Sequence, residues 1–326
     1  MSNLLALRDQ IVAFAKATGF DAVGIARADA PLTEEYARYE SFLAQGFHGE
    51  MEFLERHREE RRRIDHPRML RGAKTVLCFA SSYKRTDEAQ DPPFAQTIAR
   101  YARGRDYHNF VRTRLRKVSN YLRGMKDPEG QPVRTRTLLD QEPILERAWA
   151  ARSGLGFVGK NGLIIVPGLG SMLLLGEVIT TLDLPVGNPV AERCGSCTRC
   201  LDACPTEAFP EPWVLNASKC ISYQTIERKT APTEEESRLF GDHLFGCDDC
   251  QTVCPFNGYK ETRANETHPF LPLERWQTTT LETAAELPEA EWDVFSIGSP
   301  LRRAGLEKVR RNALRVLENR RVPRSR

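Results

Sequence analysis

The chain has 326 residues, 40% of them apolar, and its 47 Lys and Arg nearly balance 44 Asp and Glu. That is enough for two domains with a sizeable core, while no stretch reaches the roughly 18 unbroken apolar residues of a membrane span; the longest candidate, residues 171–181, is interrupted by Glu177. The net charge of +3 is unevenly spread, because residues 302–326 carry ten Arg or Lys against Glu307 and Glu318, a local +8 that leaves −5 for the rest.

The first 16 residues show no charged n-region followed by an apolar stretch and a cleavage site, and no twin-arginine signal, so the expected compartment is the reducing cytoplasm. Helical periodicity covers residues 4–17, residues 22–26 read as a strand, and 34 to about 63 reads as helix with a break near Gly46. Residues 75–81 are a short apolar run with β-branched members, expected as a buried strand in which Cys78 is plain core. A long helix over 107–125 stops at the Pro and Gly residues of 127–132, and a strand over 133–139 then ends at Asp140. Next come a helix over 143–153, the glycine-rich loop 154–162, and two strands, 163–166 and 171–181, joined by Pro167-Gly-Leu-Gly170. The alternation predicts an α/β (α+β) domain over residues 1–184, bounded by Leu-Pro-Val-Gly-Asn-Pro at 184–189. Gly154, Gly156 and Gly159 match G-x-G-x-x-G by count but follow a helix rather than a strand, so no dinucleotide site is read there. Their unshielded N–H groups could still approach another large flat cofactor.

Eight of the nine cysteines follow. Cys194-Gly-Ser-Cys197-Thr-Arg-Cys200-Leu-Asp-Ala-Cys204-Pro205 reproduces the ferredoxin run C-x₂-C-x₂-C-x₃-C-P, and Cys247-Asp-Asp-Cys250-Gln-Thr-Val-Cys254-Pro255 is a second run without its first member. Leu244 stands where that member belongs, and Cys220 between the runs can replace it. Because the fourth Cys of each run ligates the other cluster, the ligands sort as Cys194, Cys197, Cys200 and Cys254 for one 4Fe-4S cluster, and Cys204, Cys220, Cys247 and Cys250 for the other. Structural zinc is the competing reading, but it needs neither the x₃-C-P ending nor interlocked triplets. A two-cluster ferredoxin-like domain over 185–265 and a helical, basic segment over 266–326 complete the expected layout. In that last segment Leu301, Leu306, Val309, Ala313 and Leu317 recur at helical spacing with arginines expected on the other faces, either a solvated helix face or a grip on a phosphate backbone.

Asp140 with Pro143-Ile-Leu-Glu-Arg147, the runs 150–162 and 170–180, and the cysteine segments 194–209, 220–227 and 245–257 together resemble the epoxyqueuosine reductase family, cobalamin-dependent enzymes of queuosine maturation in tRNA. The resemblance spans about residues 5–315 and is most specific in 140–258; Tyr101-Ala-Arg-Gly-Arg-Asp-Tyr-His108 is its N-terminal anchor. It implies that the epoxide of epoxyqueuosine, at the wobble position of tRNA, is reduced to queuosine, with cobalamin lying between the nucleoside and the clusters and an external donor supplying electrons. Asp140 is the implied proton donor, and burial beside a corrin is expected to raise its pKa; a helix N-cap is its competing role. Corrin contacts are implied for Arg63, Asp140, Asn161, Ile164, Leu175, Ser222, Cys247 and Asp248, with core packing as the alternative for the apolar ones. Ile226, Arg228 and Lys229 are the implied tRNA contacts. Asp106-Tyr-His108 approaches the base-off cobalamin motif D-x-H-x-x-G but lacks its glycine, so His108 is read as a hydrogen-bonding residue rather than a cobalt ligand. Family members often continue into helical repeats, whereas one repeat-like unit, residues 301–319, is expected here. A monomer without membrane attachment is expected. The alternatives are a reductive dehalogenase, a ferredoxin-type electron carrier and a zinc-stabilised RNA-binding protein; cobalamin content separates the first from the other two.

Overall fold

The structure is a computed structural model that describes residues 2–258 and 269–321. Its strands are β1 (Ala22–Arg27), β2 (Thr75–Ser82), β3 (Thr135–Leu138), β4 (Phe157–Val158), β5 (Ile164–Ile165) and β6 (Leu173–Thr180). Four of them form one sheet in the order β1-β2-β6-β3, and each neighbouring pair is antiparallel. The domain is therefore α+β rather than a parallel α/β unit. Helix–strand alternation fixes layers but not strand direction, and the connection from β1 returns to the end it left, setting Arg27 opposite Thr75.

Helices cover both faces. Ile11 and Ala15 of helix Ser2–Ala17, with Val111, Leu115, Val118 and Leu122 of helix Tyr107–Arg123, pack on Ile25, Leu77, Phe79 and Val178. On the other face Trp149 and Ala150 of helix Glu146–Arg152 pack on Ala26, Val76, Cys78, Ala80 and Ile179. A strand covered on both sides has no polar face, which is why β2 reads as an unbroken apolar run. The predicted break near Gly46 is present: helix Thr33–Ala44 ends and Gly46 takes φ +66°, the left-handed stop that glycine permits.

The expected hairpin of residues 163–166 with 171–181 does not form. β5 turns back on β4 instead, while β6 enters the large sheet and only the bridge Val166 to Gly170 remains between them. A Cβ on Gly156 would lie 2.2 Å from the Ile165 carbonyl oxygen, so the glycine loop is glycine-rich in part to let its own backbone close.

The C-terminal segment shares a core with residues 93–104. Phe94, Ile98 and Ala102 pack with Leu244, Phe245, Trp276, Leu281, Val309, Ala313 and Val316, and the Trp276 indole donates to the Arg103 carbonyl at 2.8 Å. Gly104 lets the chain cross here, since a Cβ would sit 2.4 Å from the Pro269 carbonyl oxygen. The predicted boundary at 265/266 and the terminal Arg324-Ser-Arg326 lie outside the described residues. Among the described residues no helix is long and apolar enough to cross a membrane.

Candidate functional site

The seven cysteines of the two runs and Cys220 between them are free and partly accessible, while Cys78 is buried in the core as expected. Helices Arg199–Asp202 and Asp249–Thr252, which carry Cys200 and Cys250, pack against each other. Burial raises the thiols, Cys194 to about 11, with Cys200, Cys220, Cys247, Cys250 and Cys254 also raised, and neighbouring sulfurs add to it. Cys200 feels Cys254 and Cys197, Cys220 feels Cys204, and Cys247 feels Cys220 and Cys250. These are the two sets expected from the interlocked runs, and Cys250 also feels Cys200 across them. Such thiolates need a cationic centre to form. Sulfurs around tetrahedral zinc would lie roughly 3.8 Å apart, from Zn–S near 2.3 Å. Among the described residues no three of these sulfurs come within 4.8 Å of one another. Backbone N–H groups already point at sulfur, Ala208 to Cys204 at 3.4 Å and Asp249 to Cys247 at 3.5 Å.

One end of the sheet meets this centre. The chain leaves β2 at Tyr83, whose hydroxyl exchanges hydrogen bonds with Gln251 beside Cys250. β6 enters at the same end with Leu173 and Leu175 only partly covered, although the strand is interior to the sheet. β3 pairs Leu138 with Glu177 and runs out there at Asp140. Reciprocal bonds between Leu139 and Glu142 close the turn that projects Asp140. Helix Glu146–Arg152 starts at Leu145 with no side-chain cap, so Asp140 caps nothing.

Asp140 instead belongs to a network from helix Tyr107–Arg123. The Tyr107 hydroxyl donates to its Oδ2, and His108 Nε2 lies 3.1 Å from its Oδ1. The other imidazole nitrogen, Nδ1, meets Asp106 at 2.7 Å, and Asp106 also caps the helix by accepting the His108 N–H. The near-match to a cobalt-ligand motif is thus a cap that holds an imidazole. Burial raises the Asp140 carboxyl, but hydrogen bonds from His108 and Tyr107, with the charges of His108 and Arg303, hold it below the ordinary range. The raised value expected beside a corrin is therefore not the value of the uncovered carboxyl. His108 carries the matching shift: desolvation opposes its charge, yet Asp106 and Asp140 lift it to about 9. At neutral pH the pair is imidazolium and carboxylate. Asp140 keeps 37% of its side chain accessible. Arg303, from the C-terminal segment, adds a positive charge that acts on Asp140, and is itself paired with Glu227 at 2.7 Å and set over the Phe53 ring. His108 hydrogen-bonds as its sequence reading expected, but neither its bond to Asp140 nor the roles of Tyr107 and Arg303 were visible in the sequence; the Tyr101–His108 anchor was the one signal for Tyr107.

The other expected contacts divide. Asn161 is buried, its Oδ1 accepts from Leu163 N–H at 3.2 Å, and its Nδ2 has no partner among the described residues. An orphaned amide donor suits a large cofactor carrying carbonyl groups, and Leu175 of β6 is only partly covered. The neighbouring Lys160 ties the same loop to the cysteine domain through the Gly195 carbonyl at 2.6 Å. Ile164 is a core residue, 3% exposed. Ser222 bonds the Cys220 sulfur. Asp248 is buried and accepts the Arg100 backbone N–H at 2.8 Å. Arg63 is exposed and paired with Asp65.

On the RNA-facing expectation, Ile226 is buried in the C-terminal core and its carbonyl accepts from Lys308 at 2.6 Å, which leaves its side chain a packing role. Arg228 is held by Gln224 at 2.7 Å and Glu236 at 3.0 Å; Lys229 is exposed, and its backbone N–H is pinned by Glu50 at 2.6 Å. The arginines of helix Leu306–Arg321 do not all face out. Arg315 is 5% exposed, lies over the Phe240 ring and donates to the His243 carbonyl, while Arg310 donates to the Leu287 carbonyl. The helix packs by its arginine stems as well as its leucines.

A family model described as a 4Fe-4S double cluster binding domain matches residues 193–257, and one described as epoxyqueuosine reductase QueG, DUF1730, matches residues 63–140. An epoxyqueuosine reductase of Gloeobacter violaceus is 41% identical over 94% of this chain and 95% of its own length. One from Xanthomonas campestris is 37% identical over 96% and 88%. A solved epoxyqueuosine reductase bound to an epoxyqueuosine-modified stem loop of tyrosine tRNA superposes with TM-score 0.86 at 30% identity, covering 97% of this chain and 82% of that one. Another, from Bacillus subtilis, has its catalytic aspartate loop swung out of the active site and superposes with TM-score 0.84 at 29% identity, with the same coverage.

Proposed function

This chain belongs to the epoxyqueuosine reductase family, and on that premise we propose that it reduces the epoxide of epoxyqueuosine in tRNA, with Asp140, His108 and Tyr107 handling the proton. The observation that carries this reading is the Asp106–His108–Asp140 network at the sheet end that also meets the cysteine centre through Tyr83 and Gln251.

Two 4Fe-4S clusters held by the eight cysteines and a cobalamin over Leu175 and Asn161 fit the residues present; when bound, they supply single-electron transfer and a strongly reducing, nucleophilic cobalt. The chain does the rest. The relative's aspartate loop, called catalytic, supports the same role for Asp140. His108 stores a proton that Asp106 keeps on it, and Asp140 pairs with His108 while keeping an accessible edge. Covering that edge with substrate removes water from Asp140 and pushes its carboxyl up, so the proton can pass from His108 through Asp140 to the departing oxygen. Tyr107 fixes the carboxylate orientation, which counts because a general acid must lie within hydrogen-bond reach of its target. Arg303 and the exposed Lys229 border the same side, where an anticodon loop would enter, and RNA loops are gripped through phosphates and splayed bases.

The test is single turnover by the fully loaded protein on epoxyqueuosine-containing tRNA. Asp140→Asn should bind the tRNA and keep its metal centres yet lose about 10²-fold or more in rate, the range of a missing general acid. Undiminished turnover would remove Asp140 from the mechanism.

A further inference from the structure

Electron flow along a chain of carriers depends on their relative potentials, and a protein sets the potential of an iron–sulfur cluster by hydrogen bonds to the sulfurs, nearby charge and solvent access. The segment from Cys247 to Gln251 is the part of the cysteine centre that meets the sheet end through Tyr83. A histidine beside it has no role in the site described above.

His243 lies just before Cys247 in the chain. Its Nε2 is 3.7 Å from the Cys247 sulfur and 3.1 Å from the Asp249 carboxylate, and the ligand atoms of the three residues lie within 4.8 Å of one another. A carboxylate only accepts hydrogen bonds, so an imidazole nitrogen at that distance carries a hydrogen. The hydrogen is thereby placed on the nitrogen that also faces the sulfur. The Asp249 backbone N–H reaches the same sulfur at 3.5 Å, so one short segment brings two donors and one negative charge to Cys247.

The backbone holds the ring in place. Leu244, standing where the second run lacks its first cysteine, is 0% exposed and packs in the C-terminal core, and its carbonyl accepts from the buried Asn312. The His243 carbonyl accepts from Arg315, and its backbone N–H donates to the Phe240 carbonyl at 3.3 Å. None of these anchors uses the imidazole, so replacing the ring leaves the turn its supports.

We propose that His243, oriented by Asp249, donates a hydrogen bond to the Cys247 sulfur and so sets the reduction potential of the cluster that this sulfur holds. Cys247 is a cluster ligand on the reading put forward above, and the role of His243 depends on it. The donor draws negative charge off the sulfur and favours the reduced cluster. The Asp249 carboxylate does the opposite, by adding negative charge nearby and by sharing the N–H. His243 is thus a positioning residue for electron transfer and not a ligand. The same three groups suit zinc only if Cys247 is taken from its cluster.

The experiment is a redox titration of the full reconstituted chain, followed by electron paramagnetic resonance so that the two reduced clusters are told apart. His243→Leu and Asp249→Asn should both keep about eight iron atoms per chain and shift one cluster only, in opposite directions. His243→Leu should move its midpoint more negative by about 59 mV, a tenfold change in the one-electron equilibrium, and Asp249→Asn should move it less negative. Pulsed resonance on reduced wild type labelled with ¹⁵N-histidine should show a weakly coupled nitrogen, a readout that needs no variant to fold, and His243→Leu should lose it. Unshifted midpoints in both variants, or shifts of the same sign, would overturn the proposal. So would a strongly coupled nitrogen, since His243 would then be a ligand, or about one zinc and about four iron atoms per chain in wild type. Wild type with no reducible cluster would sink the cluster assignment and this role together. Opposite shifts in a chain that leaves epoxyqueuosine untouched would support the role of His243 and refute the assigned reaction instead.

Discussion

His108 and Asp140 hold each other in their charged forms, and this has two measurable consequences. The His108 shift, from 6.5 to about 9, gives stability that is fully present below about pH 6.5 and is lost as pH rises through 9. A shift of this size corresponds to roughly 3 kcal/mol. Asp140 adds the opposite limb: its lowered carboxyl stabilises above the ordinary aspartate range and stops doing so as pH falls through its folded value. His108→Gln should therefore be least stable relative to wild type near pH 6 and converge with it above pH 9, in denaturation followed at several pH values; a gap independent of pH would contradict the assignment. The kcat/KM of wild type should fall above about pH 9 as the imidazolium empties, and His108→Gln should lose that limb. In the sequence Asp140 was legible as an acid but not its proton state, since nothing in the spacing shows that Tyr107 and His108, a whole helix away in the chain, fold back onto it.

At the scale of elements, short apolar runs told more than glycine patterns. β1, β2 and helix Tyr107–Arg123 fall where periodicity places them because each buries a continuous stripe or face. The glycine loop 154–162 contains β4, which pairs with β5, so the two strands expected on either side of Pro167–Gly170 part company, a pairing that no glycine count predicts. The C-terminal helix was legible as amphipathic but not in which arginines it buries: Arg315 stacks on Phe240, a contact that composition cannot reveal. Its strongest anchor is Asn312, 2% exposed, whose amide donates to the carbonyls of Thr225 and Leu244, both at 2.9 Å. Asn312→Ala strands two buried acceptors at roughly 1–3 kcal/mol each, so the melting temperature should fall by several degrees. An unchanged transition would mean the helix is held by its apolar face alone.

Across the whole molecule, the N-terminal sheet, the cysteine centre and the C-terminal core are interleaved rather than strung in series. Residues 93–104 belong by packing to the C-terminal core, and Lys160 ties the glycine loop to the segment of Cys194. The double-cluster domain was legible because fixed cysteine spacing is itself the coordination chemistry, whereas this interleaving depends on contacts far apart in sequence. Cys220, outside both runs, is the proposed eighth ligand that most needs a test: Cys220→Ser should lower iron from about eight to about four atoms per chain while the other cluster's spectroscopic signal persists. Iron staying near eight would assign the ligand elsewhere. The central claim is that these parts form one electron and proton path ending on a tRNA epoxide. It is tested most directly by anaerobic reconstitution with iron, sulfide and cobalamin, turnover of epoxyqueuosine-containing tRNA with a chemical reductant, and mass analysis of the released nucleosides. The account predicts loss of one oxygen mass only when cobalamin is present; an unchanged nucleoside, or the same loss without cobalamin, would contradict it.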